Sequence, residues 1–326
     1  MRRSTLKVSN LKVLLSFACC FLLSCLASCS GSGSQRTLLG YVPSSSYAVL
    51  AVNWKTVSRD PDLKRICKGA EIEKLFAELG LGETVTEFAV YGDPGGLAQA
   101  SNGIVVKGSF NANETVKELK RRGWTEQGVE GRRIYVNPKD ASWLTPFDRN
   151  VFVLGTESAV RDAIGASGRS ESRFTSRAAY KVLSSHFVEK QHPILMMVVL
   201  PQASQDLANV AVQLTSTAMD LAGVGPLGDL LSKIGTPQGL ACGISHRDEL
   251  FPVAVSAVMK DEESAKLVSG ALNLLKSLGG MASHNYANQT NDDATRAIRT
   301  MSIDRNREVV FIKMAMSRRD LGTMYR

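Results

Sequence analysis

The chain has 326 residues, 44% of them hydrophobic and 21% charged, which supports one large or two medium globular domains and excludes a low-complexity or fibrous chain. Its formal charge of +8 overstates the basicity of the body, because Arg2, Arg3, Lys7 and Lys12 precede an apolar run that no acid precedes, leaving 35 basic against 31 acidic residues. So mild an excess, with no dense basic stripe, argues against a nucleic-acid partner.

Basic residues come first, then "VLLSFACCFLLSCLA", then small residues, the order of a secretory signal. The run from Val13 to Ser28 is shorter than the roughly 20 residues that span a bilayer. Its last three positions and the cysteine after them, Leu26-Ala27-Ser28-Cys29, resemble the lipobox of bacterial lipoproteins. Leu22-Leu23-Ser24-Cys25 is a poorer match, lacking an alanine. The resemblance implies cleavage by signal peptidase II between Ser28 and Cys29, a diacylglycerol thioether on Cys29 and an acylated amine. Each buried methylene of a chain such as palmitate contributes about 0.8 kcal/mol, so two or more chains anchor stably. Ser30 rather than Asp after the cysteine resembles the pattern for sorting to the outer membrane, facing the periplasm. Thr5 and the greasy core favour general secretion over twin-arginine export. "SGSGSQ" then reads as a tether reaching about 14 Å. The expected segments are therefore a signal over 1–28 and a lipidated cysteine with tether over 29–39.

The body alternates strands and amphipathic helices. "YAVLAVNW" reads as a strand; Asp60-Pro61 starts a helix whose apolar face includes Leu63, Ile66, Ile72, Phe76 and Leu79, and Gly80 stops it. "EFAVYGD" and "GIVVKGSF" read as a hairpin around a Pro-Gly-Gly turn. Asn113 opens a helix ended by Gly123, "RRIYVN" and "NVFVLGT" form a strand pair, and Thr156 caps a helix ended by Gly165. Polar "GASGRSESRFTSR" begins a linker over 167–192 that carries a short helix, between a first domain (40–166) and a second (193–326). In the second domain come "ILMMVVL", a long helix Gln202–Ala222, "GLACGISHR" with "FPVAVSAVMK", a helix Asp261–Leu278, "TRAIRTMSIDR" with "VVFIKMAMS", and a terminal helix from Arg318.

The order strand, helix, two strands, helix, two strands, helix thus occurs twice. It predicts an α+β class: duplicated antiparallel sheet units with helices packed on one face, for which a ferredoxin-like arrangement is the nearest common topology. "GYVPSSSYAVLAVNW" and this arrangement are similar to bacterial envelope proteins whose mature chains begin with "VP", a likeness that implies no activity.

Chemistry is sparse. There is no HExxH, Walker loop or body GxSxG, so neither metal nor cofactor is expected, and no enzyme. His246, beside Arg247, Asp248 and Glu249, reads as a turn of solvated charges. Cys67 and Cys242 are two small buried hydrophobes or, in an oxidising compartment, a disulfide. Trp143, in the expected loop "DASWLTPFD", is the tryptophan best placed to touch a partner. Leu207–Leu231, poor in charge, reads as core, as the lining of a site for an apolar ligand or as a partner dock. The reading is a lipid-anchored cell-envelope protein with a binding or structural role. Its partners are the membrane, through the N-terminal lipid, and an envelope protein. The alternative is a carrier of a hydrophobic ligand such as a lipid.

Overall fold

The computed structural model describes residues 38–92, 102–187, 192–200, 236–248, 250–285 and 300–317. The chain divides into two compact units, crossing from one to the other after Arg177 and again inside one strand, between Met196 and Met197. The class is α+β, with antiparallel sheets and packed helices.

In the first unit β1 (Ala48–Val52) leads into three short helices, α1 (Trp54–Val57), α2 (Pro61–Ile66) and α3 (Gly69–Glu78). The Asp60 carboxylate accepts from the Asp62 and Leu63 amides at 3.0 and 3.1 Å, with Pro61 at the first helical position where no N–H is needed. The single helix expected to Gly80 is broken at Lys68, which takes φ 48°. Strands β2 (Val85–Gly92) and β3 (Gly103–Gly108) pair as expected. Helix α4 (Ala112–Arg121) is capped by Asn111, two residues before the expected Asn113, and the chain leaves it through Gly123 at φ 89°.

Four strands then follow instead of two. They are β4 (Thr125–Val129), β5 (Arg132–Val136), β6 (Trp143–Asp148) and β7 (Val151–Gly155). The expected loop "DASWLTPFD" is therefore mostly strand, and it lies between the two segments expected to pair. Pro146 and a register shift beside it disguise β6, since a proline inside a run reads as a break. Antiparallel pairing gives the order β1-β2-β3-β7-β6-β5-β4. A ferredoxin-like split unit would insert a strand between β1 and β2, whereas β2 lies directly beside β1. Val52 faces Phe88, so the chain leaves β1 and returns at the same end without a crossover.

Helices cover both faces of this sheet, adding a layer to the one expected. On one face Trp54, Phe76 and Phe88 interlock, with ring centroids 5.4–6.2 Å apart, and Lys120 of α4 lies over Tyr135. Tyr91, three residues past Phe88, points to the other face and donates to the Ala159 carbonyl at 3.1 Å, in helix α5 (Glu157–Gly168). Thr156 caps α5 as expected, although the helix continues three residues beyond Gly165. Because both faces are covered, β2, β3 and β7 are buried along almost their whole length.

The expected linker is partly built into this unit. Phe174 is fully buried, its amide donates to the Val42 carbonyl at 2.8 Å, and Pro43 pairs with Arg173. An apolar anchor amid serines and arginines is hard to see by composition.

The second unit opens with α6 (Ala178–Phe187), the expected short helix. Strand β8 (Ile194–Val199), buried throughout, contains the division. Strands β9 (Gly239–Ile244), β10 (Leu250–Val258), β12 (Val309–Ser317) and β11 (Ser302–Asn306) pair antiparallel in that order. Asp261 caps α7 (Glu262–Asn285) by accepting from the Ser264 amide at 2.8 Å. Helix α7 packs Ala265, Val268 and Leu272 on Ala257, Ile303 and Val310. The other face meets α6, where a Cβ on Gly239 would touch Ala179 and Leu183. The two units share a plan: in each, a strand pair is followed by a helix and a later strand returns beside the pair, as β7 does to β3 and β12 to β10. The β4–β5 hairpin is extra to the first.

Candidate functional residues and their surroundings

Ser28 and Cys29 lie outside the described residues, as do Gln202–Ala222, Leu207–Leu231 and the helix from Arg318. The fold takes hold at once where description begins: Leu38, Leu39 and Val42 are buried. The following segment is bonded along its length. Tyr41 Oη donates to Asp148 Oδ2 at 2.7 Å, Ser44 N to the Ser172 carbonyl at 2.8 Å, and Ser45 Oγ to Asp162 Oδ2 at 3.1 Å. Arg177 donates to the Ser46 carbonyl at 2.8 Å.

Around Tyr41 these contacts assemble a basic rim. The Tyr41 ring meets Phe147 edge-on at 5.4 Å, and the Arg132 guanidinium lies 4.5 Å over Phe147 and donates to Ser167 Oγ at 3.4 Å. Arg173 donates to the Ala166 and Ser167 carbonyls at 3.0 and 3.1 Å, satisfying the last turn of α5. Arg149 and Arg169 are exposed on the neighbouring turns, with acids Asp148 and Glu171 among them. Burial first, and then the Asp148 hydrogen bond, push the Tyr41 phenol up to about 12, so it stays neutral at ordinary pH. The chemistry on offer is therefore cationic hydrogen bonding to an anion, with no activated nucleophile. None of this group stood out in the sequence, since Tyr41 and Asp148 are 107 positions apart. The arginine density of "RSESRFTSR" was the available signal.

Trp143 is only 7% exposed, with Arg161 lying 5.1 Å over its ring and held there by Glu157 at 2.8 Å. This places the indole beneath α5 and corrects its expected role as a surface contact. Cys67 is a free thiol at the end of α2, so the disulfide alternative with Cys242 is not formed. Cys242 is buried in β9, and burial pushes both thiols up to about 12, the behaviour of small packed hydrophobes. His246 stacks on Phe251 at 4.4 Å beside the turn through Asp248 at φ 58°, as its polar neighbours predict. Among the described residues no helix is long and apolar enough to cross a membrane.

Neither the family models nor the curated proteins yield a match to this chain. Among solved structures the chain is similar to crystal form I of TP0453, at 10% identity over 88% of this chain and 96% of that one, with a TM-score of 0.44. Form III gives 13% identity over 88% and 96% with a TM-score of 0.39, and form IV 12% over 90% and 99% with 0.40.

Proposed function

We propose that this is a lipid-anchored protein of the bacterial cell envelope, acylated on Cys29 and held at the periplasmic face of the outer membrane, with a non-catalytic binding or structural role. One observation carries the reading: a lipobox-like Leu26-Ala27-Ser28-Cys29 stands nine positions before Leu38, the first described residue, which is fully buried. At no more than about 3.6 Å per residue, the intervening chain holds the fold within roughly 32 Å of the acylated cysteine. The protein partner is a second envelope protein. The neutral Tyr41 and the protonated thiols of Cys67 and Cys242 support a binding rather than a catalytic role. The interlocked Trp54–Phe76–Phe88 cluster supports it against the carrier, since it fills the space under α1–α3 where an apolar ligand would sit.

Metabolic labelling with a fatty-acid analogue tests the anchor. The expected outcome is labelled, cleaved protein in the membrane fraction, abolished by Cys29→Ser and unaffected by Cys25→Ser. Labelled and cleaved Cys29→Ser protein would overturn the assignment. Crosslinking in cells, with a specific envelope neighbour as the expected product, tests the binding role.

A further inference from the structure

We propose that the arginine rim around Tyr41 docks the first unit onto the anionic headgroups of the bilayer that carries its lipid. The inference rests on the lipid-anchor reading and goes beyond it by naming a surface, an orientation and a ligand chemistry.

Two observations converge on this rim. The first is where the undescribed N-terminal chain meets the fold. Leu38, Leu39 and Val42 are buried, and Tyr41 is tied to Asp148, so the body is gripped within a few residues of its entry point. The pull of the lipid is thus delivered beside Phe147, Ser167 and Arg173. The second is charge. Arg132 and Arg173 stand there with Asp148, Arg149 directly follows Asp148 in the chain, and Arg169 and Glu171 follow the last turn of α5, a local excess of arginine over acid in a body that is only mildly basic.

The arginines divide the work. Arg132 and Arg173 spend their donors on Ser167 and on the last carbonyls of α5, removing the negative end of that helix from the surface. Arg149, in the turn between β6 and β7, and Arg169, just past α5, are exposed. Guanidinium groups suit phosphate because they present parallel donors and shed water readily. A free solution anion would need a built pocket. An extended anionic surface needs only several cations on one rim, held within a Debye length of it, and the short chain to Cys29 supplies that proximity.

The test uses the processed lipoprotein with its acyl chains, added to phosphatidylcholine vesicles with or without phosphatidylglycerol. Flotation reads the anchor, and the rate of cleavage by proteinase K, which needs no arginine, in the turns at 149–150 and 169–171 reads docking. Flotation on both vesicle types is expected, with cleavage several-fold slower on the anionic vesicles. The difference should vanish at about 1 M salt, where the Debye length is about 3 Å. Arg149→Glu with Arg169→Glu should also remove it, each arginine contributing roughly fivefold to the surface equilibrium. Their glutamine versions, which cannot repel the surface, should reduce it while leaving the urea midpoint unchanged. Equal cleavage on both vesicle types with intact flotation would overturn docking and leave the anchor standing. Flotation only on anionic vesicles, lost in salt, would keep docking and overturn the anchor. Flotation on neither would overturn both.

Discussion

Two glycines in the middle of the first sheet decide how α5 can approach it. Gly103 and Gly155 stand in register between Tyr91 and Trp143, and a Cβ on Gly155 would collide with the Asn102 backbone and the Gly103 Cα. The bare strip lets the Tyr91 ring lie across β3 and reach the Ala159 carbonyl. Gly155→Ala should therefore cost about 1–3 kcal/mol, read as a lower urea midpoint, through overpacking against backbone that cannot yield. Tyr91→Phe should cost about 1 kcal/mol, because it removes one buried hydrogen bond, to a carbonyl within α5, but keeps the ring. Glu118, half-buried on α4, makes a second case. Its carboxylate accepts from Arg121 and Arg122, which lower it from the ordinary 4.5 to about 2. The sign follows: the pairing supports the fold above about 4.5 and is lost as pH falls towards 2. An NMR titration should find its midpoint well below the usual carboxylate range, and Arg121→Ala with Arg122→Ala should return it there. An ordinary midpoint in the unmodified protein would mean that solvent screens both arginines.

The break between α2 and α3 shows how an element can be divided without a proline. Ile66 and Ile72 belong to one apolar periodicity, yet Lys68 adopts φ 48° and α3 restarts at Gly69, where Lys64 presses against the backbone. A left-handed lysine costs about 1–2 kcal/mol relative to the usual helix geometry. Lys68→Gly should therefore raise the unfolding midpoint by the equivalent of about 1 kcal/mol, even though glycine is normally unfavourable near helices. A lower midpoint would show that the lysine side chain, through Glu71, stabilises the junction more than its backbone strains it. The β4–β5 hairpin belongs to the same class of detail. Its Glu130-Gly131 turn, with both residues at positive φ, is compatible with a two-residue hairpin, but the exposed polar strand "TEQGV" has none of the apolar alternation that marks a strand.

Across the whole chain, burial on both faces predicts where protection against hydrogen exchange is greatest. Amides of β2, β3 and β7 should exchange last in the first unit, and the outermost described strands, β4 and β11, first in their respective units. Fast exchange in β3 would show that α5 opens from the sheet far below the global unfolding free energy. The common plan of the two units was visible from order alone, as strand pairs with helices between them. The pairing partners were not. "RRIYVN" and "NVFVLGT" looked adjacent because each is apolar, whereas β6 lies between them and is masked by Pro146.

Local chemistry settles what one stretch of chain can decide alone. The α+β class, the caps at Asp60, Thr156 and Asp261 and the turn after His246 all arise from neighbouring residues whose backbone geometry needs no distant partner. The second helical layer, the burial of Trp143 beneath Arg161, the anchoring of Phe174 and the arginine rim at Tyr41 depend on contacts between segments far apart in sequence. Periodicity reports how much of a segment is apolar, but not which element will cover it. That choice is made by the packing of faces, where two glycines, one tyrosine and a bonded N-terminal segment bring the basic side chains to one place.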